Sequence, residues 1–217
     1  MPTSRWLRSS LPAQRNWPRV CASPLYNTYW FRFHYGEVTF ERAVENTRIL
    51  VDAAREAGVR RIVHLSVTQP SEDSKLGYYR GKAAAERVIT ASGLAYAILR
   101  PTLVFGVEDI LLNNIAWMLR HFPVFAILGS GECRLQPVYV VDVAEMAAAL
   151  GKETGNRVMD AAGPEMYTFQ ELVQLIAGKV GSRAKILHMR PALALFLARL
   201  VGRVVHDVVL TDLPHGN

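Results

Sequence analysis

Apolar and polar positions follow two different periods along this chain. Leu25-Tyr-Asn-Thr-Tyr-Trp30 is a short, aromatic, β-prone run that predicts a strand. From Glu41 to Ala57 the apolar residues Ala43, Val44, Ile49, Leu50, Ala53, Ala54 and Ala57 form a helical stripe, and Gly58 follows as a stop signal. Arg61-Ile-Val-His-Leu-Ser66 predicts a buried strand. Tyr78 to Ser92 predicts a second helix closed by Gly93, and Ala95 to Leu99 a third strand ended by Arg100-Pro101.

Strands alternating with helices at this spacing imply βαβ units and a parallel sheet covered on both faces. The expected fold class is therefore α/β, doubly wound. Beyond Pro101 the rhythm loosens. Asp109 to His121 predicts a helix, Pro123 to Leu128 a short strand, and Pro137-Val-Tyr-Val leads into a helix starting at Asp142. Arg157 to Ala161 reads as a strand, Thr168 with Glu171 as a capping box, and Lys185 to Met189 as a last strand. An apolar C-terminal helix follows. The division expected is a leader over 1–23, a nucleotide-binding type of core over 24–106, and a smaller α/β lobe with that helix over 107–217.

Composition narrows the function classes. The 217 residues are half apolar and one-fifth charged, the balance of a water-soluble globular protein. The net charge of +6 suggests a nucleic-acid partner until its position is considered. Five arginines and no acids lie between Met1 and Gly36, and the remainder holds 20 basic against 19 acidic residues. No basic recognition face is expected on the folded part, and no nucleic-acid partner. The Arg- and Ser-rich leader matches an organelle transit peptide in part. Its three prolines and missing apolar stripe favour a mis-started stretch outside the fold.

Cys21 and Cys133 stand far apart, which fits a reducing compartment, and a cytoplasmic location is expected. The scattered histidines predict no metal site. No apolar run reaches the roughly 18 residues of a membrane span. The stretch Pro191-Ala-Leu-Ala-Leu-Phe-Leu-Ala-Arg-Leu-Val-Gly-Arg packs on the core in the preferred reading. Peripheral membrane or complex association through it is the alternative.

Candidate chemistry centres on Ser66, Tyr78 and Lys82. Ser66 closes a buried strand, where open α/β sheets place their ligands. Tyr78 and Lys82 are four residues apart on a helix and share a face. A phenol titrates near about 10, and a neighbouring cation favours its ionised form. That suits a proton donor to a developing alkoxide. Ser66 can hydrogen-bond the same oxygen. Tyr79 competes locally, but its partner four residues on is Ala83, so it lacks a cation. Alone, a Tyr-x-x-x-Lys pair is commonplace on a helix face.

Longer stretches add weight. These are Asn46 to Ser66, Tyr78-x-x-x-Lys82, Ile98-Leu-Arg-Pro-Thr102 with Phe105-Gly106, Pro137-Val-Tyr-Val-Val-Asp142-Val-Ala144, and Gly163-Pro-Glu-x-Tyr-Thr-Phe-Gln-Glu-Leu172. In this order they resemble the extended and atypical short-chain dehydrogenase/reductases. The likeness is to the branch of NAD-dependent epimerase/dehydratases, NmrA-like proteins and the Rossmann-type accessory subunit of respiratory complex I. It runs from about Leu25 to about Leu200.

The resemblance implies that Ser66, Tyr78 and Lys82 are the catalytic serine, tyrosine and lysine, and that NAD or NADP is the cofactor. Lys82 would also reach the cofactor ribose. Pro101 and Thr102 would lie beside the nicotinamide, and Asn27 and Thr28 along the adenosine side. Asn46 would fall in the helix where related enzymes use an asparagine, or be a plain surface amide.

The same comparison exposes a departure. Such proteins open with a strand, a G-x-x-G-x-x-G loop and a helix that binds the pyrophosphate. Gly36 is the first glycine of this chain, and no G-x-x-G-x-x-G occurs in it. The expectation is an N-terminally truncated member with an incomplete Rossmann-like sheet lacking the first βαβ part, in which cofactor binding is doubtful. An oxidoreductase or epimerase acting on a small-molecule substrate is the leading reading. A non-catalytic nucleotide-binding assembly or sensor subunit is the second, and a chain without activity of its own the third.

Overall fold

The computed structural model describes residues 24–31 and 39–190. The expected leader and the apolar C-terminal helix lie outside the described residues. β1 (Leu25–Asn27), α1 (Phe40–Glu56), β2 (Arg61–Leu65), α2 (Gly77–Thr90) and β3 (Ala95–Pro101) follow one another as the sequence periods require. Next come β4 (Leu103–Phe105), α3 (Ile110–His121), β5 (Val124–Leu128), β6 (Arg134–Leu135) and β7 (Pro137–Tyr139). The described chain ends with α4 (Val140–Lys152), β8 (Arg157–Ala161), β9 (Tyr167–Thr168), α5 (Phe169–Lys179) and β10 (Lys185–Met189).

The main sheet is parallel with strand order β1-β2-β3-β8. Alternation along its strands sends side chains to opposite faces. Ile62 packs with Val51 and Ala54 of α1 and Ile89 of α2 on one face. Val63, Ala97 and Leu99 pack with Val143, Ala147 and Leu150 of α4 on the other. Helices thus cover both faces, and the fold is α/β and doubly wound. Residues beyond 106 return to this sheet through α4 and β8. A second core joins α3, β5 and α5 through Ile115, Leu119, Phe125, Ile127 and Val173. Truncating one fully buried Ile or Leu in either core costs about 2–5 kcal/mol.

Several boundaries differ from the sequence expectation. β1 stops at Asn27 instead of Trp30, because the Asn27 Oδ1 accepts the Tyr29 N–H at 3.1 Å and turns the backbone out of extension. α4 begins at Val140, directly off β7, which places Asp142 in the first turn instead of at the start. Its carboxylate there still faces the positive end of the helix dipole. Asp109 caps α3 by accepting from the Leu111 and Leu112 N–H groups. Thr168 and Glu171 form the expected capping box.

Candidate functional site

The carboxyl ends of β1, β2 and β3 converge on the first turns of α2. Ser66 leaves β2 buried, its N–H donating to the Leu99 carbonyl at 2.8 Å. Its Oγ is buried without a hydrogen-bond partner. The next loop is held by Thr68, whose N–H donates to the Pro101 carbonyl at 3.2 Å.

Lys82 is 3 % exposed, and its Nζ donates to the Leu65 carbonyl at 2.8 Å, next to Ser66. Burial lowers its pKa from 10.5 to about 8, against which the Glu86 carboxylate acts. Tyr78, one turn before Lys82, is half-buried and sets its ring edge-on to Trp30 and Phe40. α2 enters without a side-chain cap. This face of the helix therefore presents Tyr78, Lys82 and Glu86 in one row, each a turn apart.

The other sequence-expected residues take distinct places. Asn27 is buried with its Nδ2 unpartnered, whereas Thr28 is exposed. Pro101 closes β3. The Thr102 hydroxyl donates to the Gln136 carbonyl, and its N–H to the Ala161 carbonyl at 3.0 Å. Thr102 is thereby spent on joining β3 to the β7 and β8 ends. Asn46 donates from Nδ2 to the Tyr29 hydroxyl at 2.9 Å.

Three residues that sequence reasoning passed over belong to the same neighbourhood. Trp30 lies across Lys82 with a buried, unpartnered Nε1. His64 is fully buried on β2 opposite Asn27 of β1. Burial, with the Lys82 charge, pushes its pKa from 6.5 to about 3, and the Asn27 backbone acts in the opposite direction. Glu86 is held by Arg100 of β3. The four-residue step from Lys82 to Glu86 was a readable signal. Trp30 and His64 carried none.

Unspent donors at Asn27 Nδ2, Trp30 Nε1 and Ser66 Oγ, beside a buried ammonium, suit a ligand rich in hydroxyl and carbonyl oxygens. A separate cleft of about 390 Å³ opens at the carboxyl ends of β4 and β7, lined among others by Phe105, Gly106, Glu108 and Tyr139. Among the described residues no helix is long and apolar enough to cross a membrane.

Comparison with known proteins agrees with this architecture. A family model described as NAD(P)H-binding matches residues 33–106. The chain is 30% identical over 132 residues to the Arabidopsis thaliana protein named NADH dehydrogenase [ubiquinone] 1 alpha subcomplex subunit 9, mitochondrial, covering 59% of this chain and 33% of that one. It is 26% identical over 161 residues to the NmrA-like family domain-containing oxidoreductase flvB of Aspergillus flavus, covering 71% and 50%. It thus spans about a third of the first of these and half of the second. Among solved structures, MoeE5 in complex with UDP-glucose and NAD superposes with a TM-score of 0.58 at 26% identity, covering 66% of this chain and 56% of that one. The chain is thus similar to NAD(P)-binding proteins of the extended short-chain dehydrogenase/reductase type.

Proposed function

We propose that the chain carries the nicotinamide end of an NAD or NADP site and serves an oxidoreductase or epimerase-like reaction on a small-molecule substrate. One observation carries this reading: Lys82, buried and bonded at the Leu65 carbonyl beside Ser66, lies one helical turn from Tyr78. The unspent donors fit the hydroxyl and carbonyl oxygens of a dinucleotide and its substrate. No glycine-rich turn for the pyrophosphate stands among the described residues.

The cofactor, when bound, supplies the hydride acceptor or donor. Tyr78 exchanges the proton at the substrate oxygen through its hydroxyl. Ser66 donates a hydrogen bond from Oγ to that oxygen, which stabilises charge developing there. Lys82 holds positive charge next to the phenol and donates to a ribose hydroxyl. Pro101 and Thr102 border the nicotinamide, and Asn27 and Thr28 the adenosine side. The cleft beside Phe105 and Tyr139 takes the rest of the substrate.

The names of the complex-subunit relatives favour a second reading, a nucleotide-binding subunit without turnover that joins an assembly through the segment after residue 190. A cytoplasmic location is proposed, where the exposed Cys133 stays a free thiol. The mitochondrial relatives make that compartment the competitor, and fractionation decides between them. The functional test supplies the 217-residue chain with NADH or NADPH and a panel of carbonyl compounds and nucleotide sugars. Consumption of the reduced cofactor, abolished in Tyr78→Phe with binding retained, is expected. Binding without consumption on any substrate supports the subunit reading. Absence of binding contradicts both.

A further inference from the structure

Trp30 follows β1 by three residues, and its indole lies over α2 at the row of Tyr78 and Lys82. The Lys82 Nζ stands 4.7 Å from the indole centroid, inside the roughly 6 Å reach of a cation–π contact. The ring packs so closely on α2 that a Cβ at Gly81 would stand 3.0 Å from the Trp30 Cζ2. Tyr78 meets the same indole edge-on, with centroids 6.3 Å apart. Phe31 and Phe40 stack parallel to it at 6.0 and 6.1 Å, which fixes the plane of the ring.

The nearest carboxylate on α2 is already committed. Both Glu86 oxygens are occupied by Arg100, so Glu86 is only a partial counter-charge for a buried ammonium. The Leu65 carbonyl takes one ammonium proton. The indole face is a further electron-rich surface against which the desolvated cation rests. A buried indole usually spends its N–H on an acceptor, and among the described residues Nε1 has none.

We propose that Trp30 is a positioning residue of this site, its indole face seating the Lys82 ammonium beside Tyr78 and Ser66. The inference rests on the reading of Lys82 as a site residue given above, and deepens it. Lys82 is faced on its own helix by Tyr78 and Glu86, from β2 by the neutral His64 and Ser66, and from β3 by Arg100 through Glu86. α1 turns Phe40, Ala43 and Thr47 inward, none of which titrates.

The test uses the whole chain labelled with [13C]lysine, the Lys82 ε-CH2 signal being assigned by its loss in Lys82→Met. In the wild type this signal is displaced upfield by the indole ring current. Trp30→Leu keeps the site apolar but removes the π-face. It is expected to collapse the displacement and to lower the Lys82 titration midpoint by about one pH unit. Trp30→Phe keeps a smaller face and is expected to fall between. An unchanged midpoint in Trp30→Leu, or in Trp30→Phe should the leucine variant fail to fold, overturns the proposal. Neither readout needs cofactor or turnover, so the result stands apart from the success or failure of the proposed reaction.

Discussion

Arg100 grips Glu86 at two points, with Nε donating to Oε1 at 3.0 Å and Nη2 to Oε2 at 2.6 Å. The pair ties α2 to β3 directly behind Lys82. Its carboxylate side is nearly buried, and its guanidinium side keeps 30% of its surface. Removing one partner strands the other charge in a poor solvent. Arg100→Met should therefore lower the unfolding free energy by about 3 kcal/mol, near the lower end for a broken buried pair. Urea denaturation checks this. The double variant Arg100→Met with Glu86→Leu should recover most of the loss, because no unpaired charge remains.

His64 supplies a pH prediction. Its folded-state pKa of about 3 lies below its ordinary 6.5. Between those values the unfolded chain takes up a proton that the folded chain refuses, so stability falls as the pH is lowered through this window and is complete above it. About 2 kcal/mol should be lost from this group between pH 7.5 and pH 5. Thermal unfolding at the two pH values checks it. In His64→Leu the dependence over that interval should be visibly flatter, whatever the absolute stability of the variant.

How far the sequence announced this site depends on the range of each interaction. Tyr78 and Lys82 share a face because both lie on one helix, and Ser66 is placed by the end of its own strand, so their proximity was legible. The capping box at Thr168 and Glu171 is equally local. β4 escaped notice because it has only three residues, and its partner β7 lies more than thirty positions away. Trp30 read as part of a strand, and only the Asn27 turn carries its indole onto α2. The Glu86–Arg100 pair needed the crossover from α2 to β3 before the two charges could meet.

Gly163 marks a close approach that supports Thr102. A Cβ there would run into the Pro137 carbonyl oxygen, which is backbone and cannot swing aside. The Gln136 amide meanwhile donates to the Gly163 carbonyl at 2.6 Å. Gly163→Ala should push β7 away from the β3 and β8 ends and cost at least the roughly 1–3 kcal/mol of ordinary overpacking. Differential scanning calorimetry measures the loss. Hydrogen exchange should show the amide of Thr102 opening more readily than that of Ser66.

The central claim is that Lys82 and its neighbours form the nicotinamide end of a dinucleotide site. Saturation-transfer NMR on the 217-residue chain with NAD and NADP tests it most directly, since it reports which end of the dinucleotide touches protein. Transfer to the nicotinamide ring and its ribose protons from at least one dinucleotide, lost in Lys82→Met, is the predicted result. Transfer confined to the adenine, or nicotinamide transfer that survives Lys82→Met unchanged, would contradict the claim.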